Sequence, residues 1–163
     1  MNRVQAMTAI DNILKHKFKY LYQQQKLNIQ TLHLSFLMDS KTHNIQMTFE
    51  FQESWVDILC FISPTVSIKN PDVNFDVLQT INYLNWNIKS LGRFYLDTYG
   101  DFAYSLRLDY SLLERAEDIC IKEIEAVVDY YADIFVLVLN ILQGKTTFEY
   151  AKNFIDNMWG GLE

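Results

Sequence analysis

Apolar residues at the start of the chain recur three and four positions apart, which is typical of an amphipathic helix. This spacing predicts a first helix over residues 1–25. The period then changes to two, and two alternating runs, 32–38 and 45–51, flank the polar segment 40–44. Such a pair of runs predicts a β-hairpin. A third run, 55–63, is apolar on nearly both sides, which predicts a strand that is central in the sheet or covered on both faces.

The helical period returns in the middle of the chain, with Asn74 as the predicted N-cap and Gly92 as the stop. The inward stripe of this second helix is predicted to contain Phe75, Leu78, Ile81, Leu84, Asn85, Ile88 and Leu91. Alternation over 94–108, around a turn that contains Asp and Gly, predicts a second hairpin. A long helix over about 111–143 and a short closing helix over 148–159 complete the chain.

These elements predict a single domain over residues 1–163 with an α+β fold. The expected core is an antiparallel, strongly twisted sheet of about five strands with flanking helices. The predicted order is α-β-β-β-α-β-β-α, followed by the short C-terminal helix. A chain of 163 residues that is 50% apolar is large enough to bury such a core without disulfides or metals.

The net charge, the apolar runs and the cysteines limit the kinds of partner and cellular compartment that the chain is expected to have. The chain has 14 Lys and Arg residues against 20 Asp and Glu, a net charge of -6, which disfavours nucleic-acid binding. Its most apolar run, 134–142, is far shorter than the ~20 residues that cross a bilayer, so we expect no membrane partner. Cys60 and Cys120 lie in separate apolar runs, which predicts buried, reduced thiols in a cytoplasmic protein.

The residue patterns do not predict an enzyme. The glycines form no phosphate-binding motif, and His16, His33 and His43 have no second ligand at a metal-binding spacing. Asp97 and Asp101 flank a turn, where their carboxylates are expected to accept hydrogen bonds from nearby backbone N–H groups. We therefore expect no catalytic residues, no metal and no cofactor.

Asn85 is a polar residue on the inward stripe of the second helix, so its amide needs hydrogen-bond partners. In one interpretation, Asn85 and Trp86 line a small-ligand pocket between this helix and the sheet. In the other, the Asn85 amide bonds the backbone of the adjoining hairpin and holds the helix to the sheet. The second interpretation is favoured, because buried side-chain amides usually bond main-chain groups.

After Tyr130 the long helix is apolar nearly all round, and such a helix is usually buried all round. The closing helix over 148–159 could cover it within a monomer. Alternatively, a second copy could cover it across a two-fold axis. The interface of such a homodimer would contain Tyr131, Phe135, Val138 and Leu142. At roughly 30 residues the helix would span ~45 Å, more than a compact domain needs, which favours the homodimer.

Several features together resemble the YbjN family of small bacterial proteins, which shares the type III secretion chaperone-like fold. A helix ends in Leu84-Asn85, and a hairpin of the form G-x-F-x-L-D-x-x-G-D runs from Gly92 through Asp101. A strand that ends in Leu108-Asp109 then leads into the long helix. The resemblance covers essentially the whole chain.

The resemblance implies a non-enzymatic, protein-binding or regulatory role. Members of this group are described as regulators of sensory transduction, and their structural relatives are acidic homodimeric chaperones that bind extended segments of client proteins. Trp55, Tyr95 and Tyr99 are the candidate residues for binding such a segment, on an exposed face or edge of the sheet. The alternative function is a small-ligand sensing domain that uses the pocket at Asn85 and Trp86.

Overall fold

The computed structural model describes residues 1–18, 22–28, 30–36, 43–68 and 70–160. It confirms the α+β class, with five helices and a six-stranded antiparallel sheet in this part of the chain. The elements are α1 Arg3–Lys17, β1 Tyr22–Asn28, β2 Thr31–Phe36, β3 Asn44–Phe51, β4 Trp55–Ser63, a short 3₁₀ turn Pro71–Val73, α2 Asn74–Asn87, β5 Arg93–Leu96, β6 Phe102–Asp109, α3 Tyr110–Arg115, α4 Glu117–Leu142 and α5 Phe148–Trp159.

The strands are ordered β1-β2-β3-β4-β6-β5, and every neighbouring pair is antiparallel. The inward-facing residues of β3, β4 and β6 are fully buried beneath α1, α2 and α4. The alternate residues of β4 are only half-buried. Because β4 pairs with β3 and β6, the prediction of a central strand is confirmed, and its apolar residues are fully buried on one face only.

The N-terminal helix is shorter than its sequence pattern suggests. The Asn2 side chain accepts a hydrogen bond from the Gln5 N–H, and the Gln5 side chain accepts one from the Asn2 N–H, which forms a capping box. The helix α1 ends at Lys17, and β1 begins at Tyr22. The prediction of a helix through residue 25 was wrong because the polar sequence of β1, YQQQKLN, shows no alternation that distinguishes a strand.

The long C-terminal helix is also interrupted. At Ala116 the backbone adopts φ -149° and ψ 57°, which separates the six-residue α3 from the 26-residue α4. Asp109 precedes α3, and no side chain caps either helix. After α4 the chain turns at Gly144, whose φ of 68° is in the region that favours glycine. The predicted bounds of α5 are confirmed.

The sequence predicts Tyr131, Phe135, Val138 and Leu142 as a dimer interface, and the structure corrects this assignment. All four side chains are at most 7% exposed within one chain. The sheet, α2 and α5 pack against α4 and cover them. Such residues cannot meet a second copy without opening the core, so the cover in cis, which the sequence left as the alternative, is the one observed.

Both thiols lie in the same core. Cys60 and Cys120 are free and fully buried, as predicted. Burial raises the pKa of the Cys60 thiol and raises the pKa of Cys120 to about 11. Both thiols are therefore protonated at neutral pH, and neither is an activated nucleophile. Among the described helices, none is both long and apolar enough to cross a membrane.

Candidate functional site

The second face of the sheet carries an apolar centre that no described helix covers. Phe61 of β4 lies opposite Ala103 of β6, and Ala103 lies opposite Tyr95 of β5, so the three form a row across neighbouring strands. Leu59 lies two residues from Phe61 on the same face. Leu59, Phe61 and Tyr95 are half-buried, whereas the small Ala103 is buried. We call the outer sheet face the surface formed by Trp55, Leu59, Phe61, Tyr95 and Ala103.

Trp55 is fixed on this face by two charged neighbours. Its Nε1–H donates to Asp57 Oδ2 over 2.9 Å, and Arg107 Nε donates to Asp57 Oδ1 over 2.8 Å. The Arg107 guanidinium lies 4.7 Å from the centroid of the Trp55 ring, within range of a cation–π contact. The indole is therefore held in one orientation, and it is half-buried.

The structure does not bring the three predicted partner-binding residues together. Tyr95 is half-buried on the outer sheet face, and burial raises the pKa of its hydroxyl. Trp55 lies at the other end of β4 from the Phe61 row. Tyr99 is 82% exposed and lies on the turn between β5 and β6, beyond the paired residues of these strands.

The turn that carries Tyr99 is built by Asp97, as predicted. Asp97 Oδ1 accepts hydrogen bonds from the backbone N–H groups of Tyr99 and Asp101, at 2.8 and 2.9 Å. The prediction for Asp101 is wrong in detail, because its carboxylate accepts from the Ser67 hydroxyl instead of a nearby N–H. This contact ties the turn to the segment that follows β4.

Asn85 confirms the interpretation that it holds the helix to the sheet. Its Oδ1 accepts from the Phe94 N–H over 2.8 Å, and its Nδ2 donates to the Phe94 carbonyl over 2.9 Å. The amide is fully used by the main chain of β5, and Trp86 is 85% exposed on the far side of the helix. The predicted ligand pocket at Asn85 and Trp86 is therefore not formed.

Replacing Asn85 with alanine should lower the free energy of unfolding by about 2 kcal/mol, since both main-chain groups of Phe94 lose their partner. Chemical denaturation measures this loss. The matched control is Asn153→Ala, an exposed asparagine within α5, which gains the same helix propensity and should change stability by less than about 0.5 kcal/mol. Equal stability of the two variants would contradict the assigned role of Asn85.

Two clefts open on the helical side of the molecule. One, of about 580 Å³, lies between α1 and α4 and is lined by Ala9, Asn12, Ile13, His16, Lys17, Glu117 and Ile121. The other, of about 380 Å³, lies between the start of α2 and the β5–β6 turn, where Leu78 and Tyr99 face each other across it. Neither cleft contains Asn85 or Trp86. In the part of the chain that the structure describes, no three His, Cys, Asp or Glu side chains are grouped to hold a metal ion.

A polar cluster anchors the loop between α2 and β5. The hydroxyls of Ser90 and Tyr104 hydrogen-bond to each other, and Glu123 Oε2 of α4 accepts from Ser90 and from the Leu91 N–H at 2.6 and 2.9 Å. Burial raises the pKa of Tyr104 to about 12. No buried side-chain polar atom of the cluster lacks a hydrogen-bond partner, so the cluster serves to hold the loop against α4 and β6.

The predicted inward stripe of α2 is confirmed in part. Ile81, Leu84 and Ile88 are buried as predicted, together with Val77 and Thr80. Phe75, Leu78 and Leu91, also predicted to face inward, are instead 71%, 54% and 60% exposed. Phe75, Leu78 and Trp86 share one exposed face with Gln79 and Asn82. We call these five residues the α2 ridge. Large apolar side chains exposed side by side on one helix are uncommon on a monomer.

Comparisons of the chain with protein-family models, with curated proteins and with solved structures find no significant match.

Proposed function

We propose that the protein is a non-enzymatic protein-binding module of the YbjN or secretion-chaperone-like type, and that its outer sheet face binds an extended segment of a partner protein. The observation that carries this proposal is the row of Phe61, Ala103 and Tyr95, in which half-buried Phe61 and Tyr95 flank the buried Ala103 on the face that no described helix covers. An apolar strip on an otherwise polar sheet face is the kind of surface that a partner covers.

The dimensions of the outer sheet face suit an extended peptide. Side chains on one face of β4 repeat every two residues, so Phe61, Leu59, Asp57 and Trp55 form a line about 20 Å long. A bound segment with the same period places alternate side chains along this line. Arg93 and Arg107 on one side, with Thr48 and Glu50 on the other, supply a polar rim.

The two sheet edges differ in what they offer a partner strand. At the β5 edge, the outward N–H and C=O of Phe94 are taken by Asn85, so a strand cannot pair there. Within the described residues, β1 has only β2 as a neighbour and is seven residues long. A partner strand that forms main-chain hydrogen bonds with the sheet therefore pairs with β1 and not with β5.

The test is selection of a random 12-residue peptide library on the wild-type protein. We expect enriched peptides with alternating apolar residues, and we expect Phe61→Glu and Tyr95→Glu each to weaken their binding at least about tenfold. The control is Val136→Ala, which removes an exposed apolar side chain from α4 and should leave peptide affinity unchanged. Denaturation curves establish that each variant is folded.

Selection of peptides that bind the Glu variants as well as the wild type would overturn this assignment of the surface. Failure to enrich any peptide, together with a metabolite that raises the melting temperature, would favour the small-ligand sensing alternative instead.

A further inference from the structure

The two ends of the outer sheet face differ in charge. At one end, Tyr95, Ala103 and Phe61 form a row that continues onto Gln46 of β3, and no side chain in this row is charged. The other end of the face lies at Trp55, about 20 Å along β4 at the usual rise of a strand. A partner segment that lies along β4 therefore contacts an uncharged apolar surface at one end and a polar, charged surface at the other.

Among the described strands, three carboxylates and one guanidinium lie at the Trp55 end. Asp57 is paired across the sheet with Glu50 of β3 and with Arg107 of β6, and Trp55 is paired with Asp109 of β6. Both oxygens of Asp57 are engaged, because one accepts from Trp55 and the other from Arg107. Glu50 and Asp109 are exposed and form no ion pair with a described residue. Two negative charges are therefore left unbalanced.

The position of these charges favours a cation above β4. Glu50 and Asp57 are like charges directly opposite each other on neighbouring strands, an arrangement that destabilises a sheet. Neighbouring strands are ~4.8 Å apart, so a cation above this end of β4 lies one strand spacing from the strand of Glu50 and from the strand of Asp109. That separation is inside the ~8 Å screening length at physiological ionic strength. A bound cation thus relieves a repulsion that the fold leaves in place.

The other cations near this face are engaged elsewhere. Arg93 lies on the β5 flank, and its guanidinium donates to two main-chain carbonyls, its nearest neighbours in the preceding loop, over 2.5 and 2.6 Å. The N-terminal ammonium lines a cleft together with Asp109, but its ion pair is with Glu114. Neither cation forms an ion pair with Glu50 or Asp109.

We propose that the segment bound by the outer sheet face is apolar at one end and basic at the other. Its alternating apolar residues contact Phe61 and Leu59. A lysine or arginine four residues from the first of them lies over Asp57, flanked by Glu50 and Asp109. The spacing follows from the pleat, because Phe61 and Asp57 are four residues apart on one face of β4.

This inference rests on the proposed function, since it specifies the chemistry of the segment that the same surface binds. The charge of the whole chain acts in the same direction. A net charge of -6 attracts a basic segment and repels an acidic one during the approach.

The test is selection of the random 12-residue peptide library on the wild type and, in parallel, on two variants of this face. The wild type should enrich Lys or Arg four residues from an apolar residue, at one end of the apolar alternation. The charge-reversed variant, Glu50→Lys with Asp109→Lys, should enrich Asp or Glu at that position. The neutral variant, Glu50→Gln with Asp109→Asn, should keep the alternation and lose the charge preference. Both side chains are exposed, so each variant should fold, which urea denaturation checks.

The affinity of one peptide selected on the wild type measures the size of the effect. Replacing its basic residue with glutamine should weaken binding about three- to tenfold at low salt, and the difference should shrink at about 0.5 M salt. The charge-reversed variant should bind the unchanged peptide at least about tenfold more weakly. The matched control, Glu125→Lys with Asp129→Lys, reverses two exposed charges on α4 and should change the affinity less than about twofold.

Apolar alternation with no charge preference on the wild type would overturn this inference and leave the proposed function standing. An equal loss of affinity in the α4 control would also overturn it, because the attraction would then come from the net charge of the chain. Failure to enrich any peptide, or binding that is insensitive to Phe61→Glu, would instead overturn the proposed function and this inference with it.

Discussion

Replacing Tyr131 with alanine is expected to lower the free energy of unfolding by about 4 kcal/mol, the loss typical of a fully buried aromatic ring. Tyr131 is 0% exposed, and its ring makes edge contacts with Phe94 and Phe102, at centroid distances of 5.6 and 5.9 Å. Its hydroxyl donates to the Cys60 carbonyl over 2.8 Å, which joins α4 to the central strand β4. Truncation opens a cavity between helix and sheet and leaves that carbonyl without its partner.

Two further variants separate the components of this loss. Tyr131→Phe keeps the ring and should cost about 1 kcal/mol, the contribution of one hydrogen bond. Val136→Ala, at a position of α4 that is 65% exposed, should change stability by less than about 0.5 kcal/mol. Equilibrium unfolding in urea measures all three. If Tyr131→Ala lost less than about 1 kcal/mol, the residue would not be part of the monomer core.

Periodicity in the sequence predicts most elements because the apolar residues that face the core recur at the spacing of a helix or a strand. Both hairpins, β4 and α5 follow from it, as does the α+β class. The strand β1 was missed because its residues are mostly polar and lie at a sheet edge, where little apolar surface is buried. No glycine or proline stands near Ala116 in the sequence, so nothing there indicates the break between α3 and α4.

The location of an interface is harder to predict than the existence of an apolar face. The apolar end of α4 is consistent with cover from the same chain or from a second copy, and only the packing shows that the sheet, α2 and α5 provide it. In α2, Val77 and Thr80 face the core while Phe75 and Leu78 face outward. From its apolar pattern alone, the sequence places Phe75 and Leu78 in the core and leaves Val77 and Thr80 outside it. The α2 ridge could therefore not be found from the sequence.

Among the candidate site residues, Asn85 was assigned correctly because its chemistry limits the choices. A polar side chain on a buried stripe must find partners, and the nearest unpaired groups are those of an edge strand. Trp55, Tyr95 and Tyr99 were grouped only as exposed aromatics, and no such constraint relates their positions. The structure accordingly places Trp55 and Tyr95 on the outer sheet face and Tyr99 beside the α2 ridge.

Replacing Gly92 with alanine is expected to lower the free energy of unfolding by about 3 kcal/mol through overpacking. An added Cβ would lie 2.3 Å from the Tyr104 hydroxyl oxygen and 2.6 Å from the Ser105 main-chain carbonyl oxygen. Gly92 is buried beside Tyr104, so the neighbours cannot move into solvent to make room. Equilibrium unfolding in urea measures the loss, and circular dichroism confirms that the variant retains its secondary structure.

A double-mutant cycle with Tyr104→Phe tests whether the clash is the cause. Tyr104→Phe alone should cost about 1 kcal/mol, because Ser90 loses a hydrogen bond. In the Gly92→Ala background the same change removes the contact with the hydroxyl oxygen but keeps the ring carbon Cζ, which also clashes with the added Cβ, so it should cost only somewhat less than it does alone. The recovery should be partial, because the Ser105 carbonyl belongs to the backbone of β6 and remains in place. Additive losses would instead show that the clash of the added Cβ lies with the Ser105 carbonyl and the Tyr104 ring and not with the Tyr104 hydroxyl.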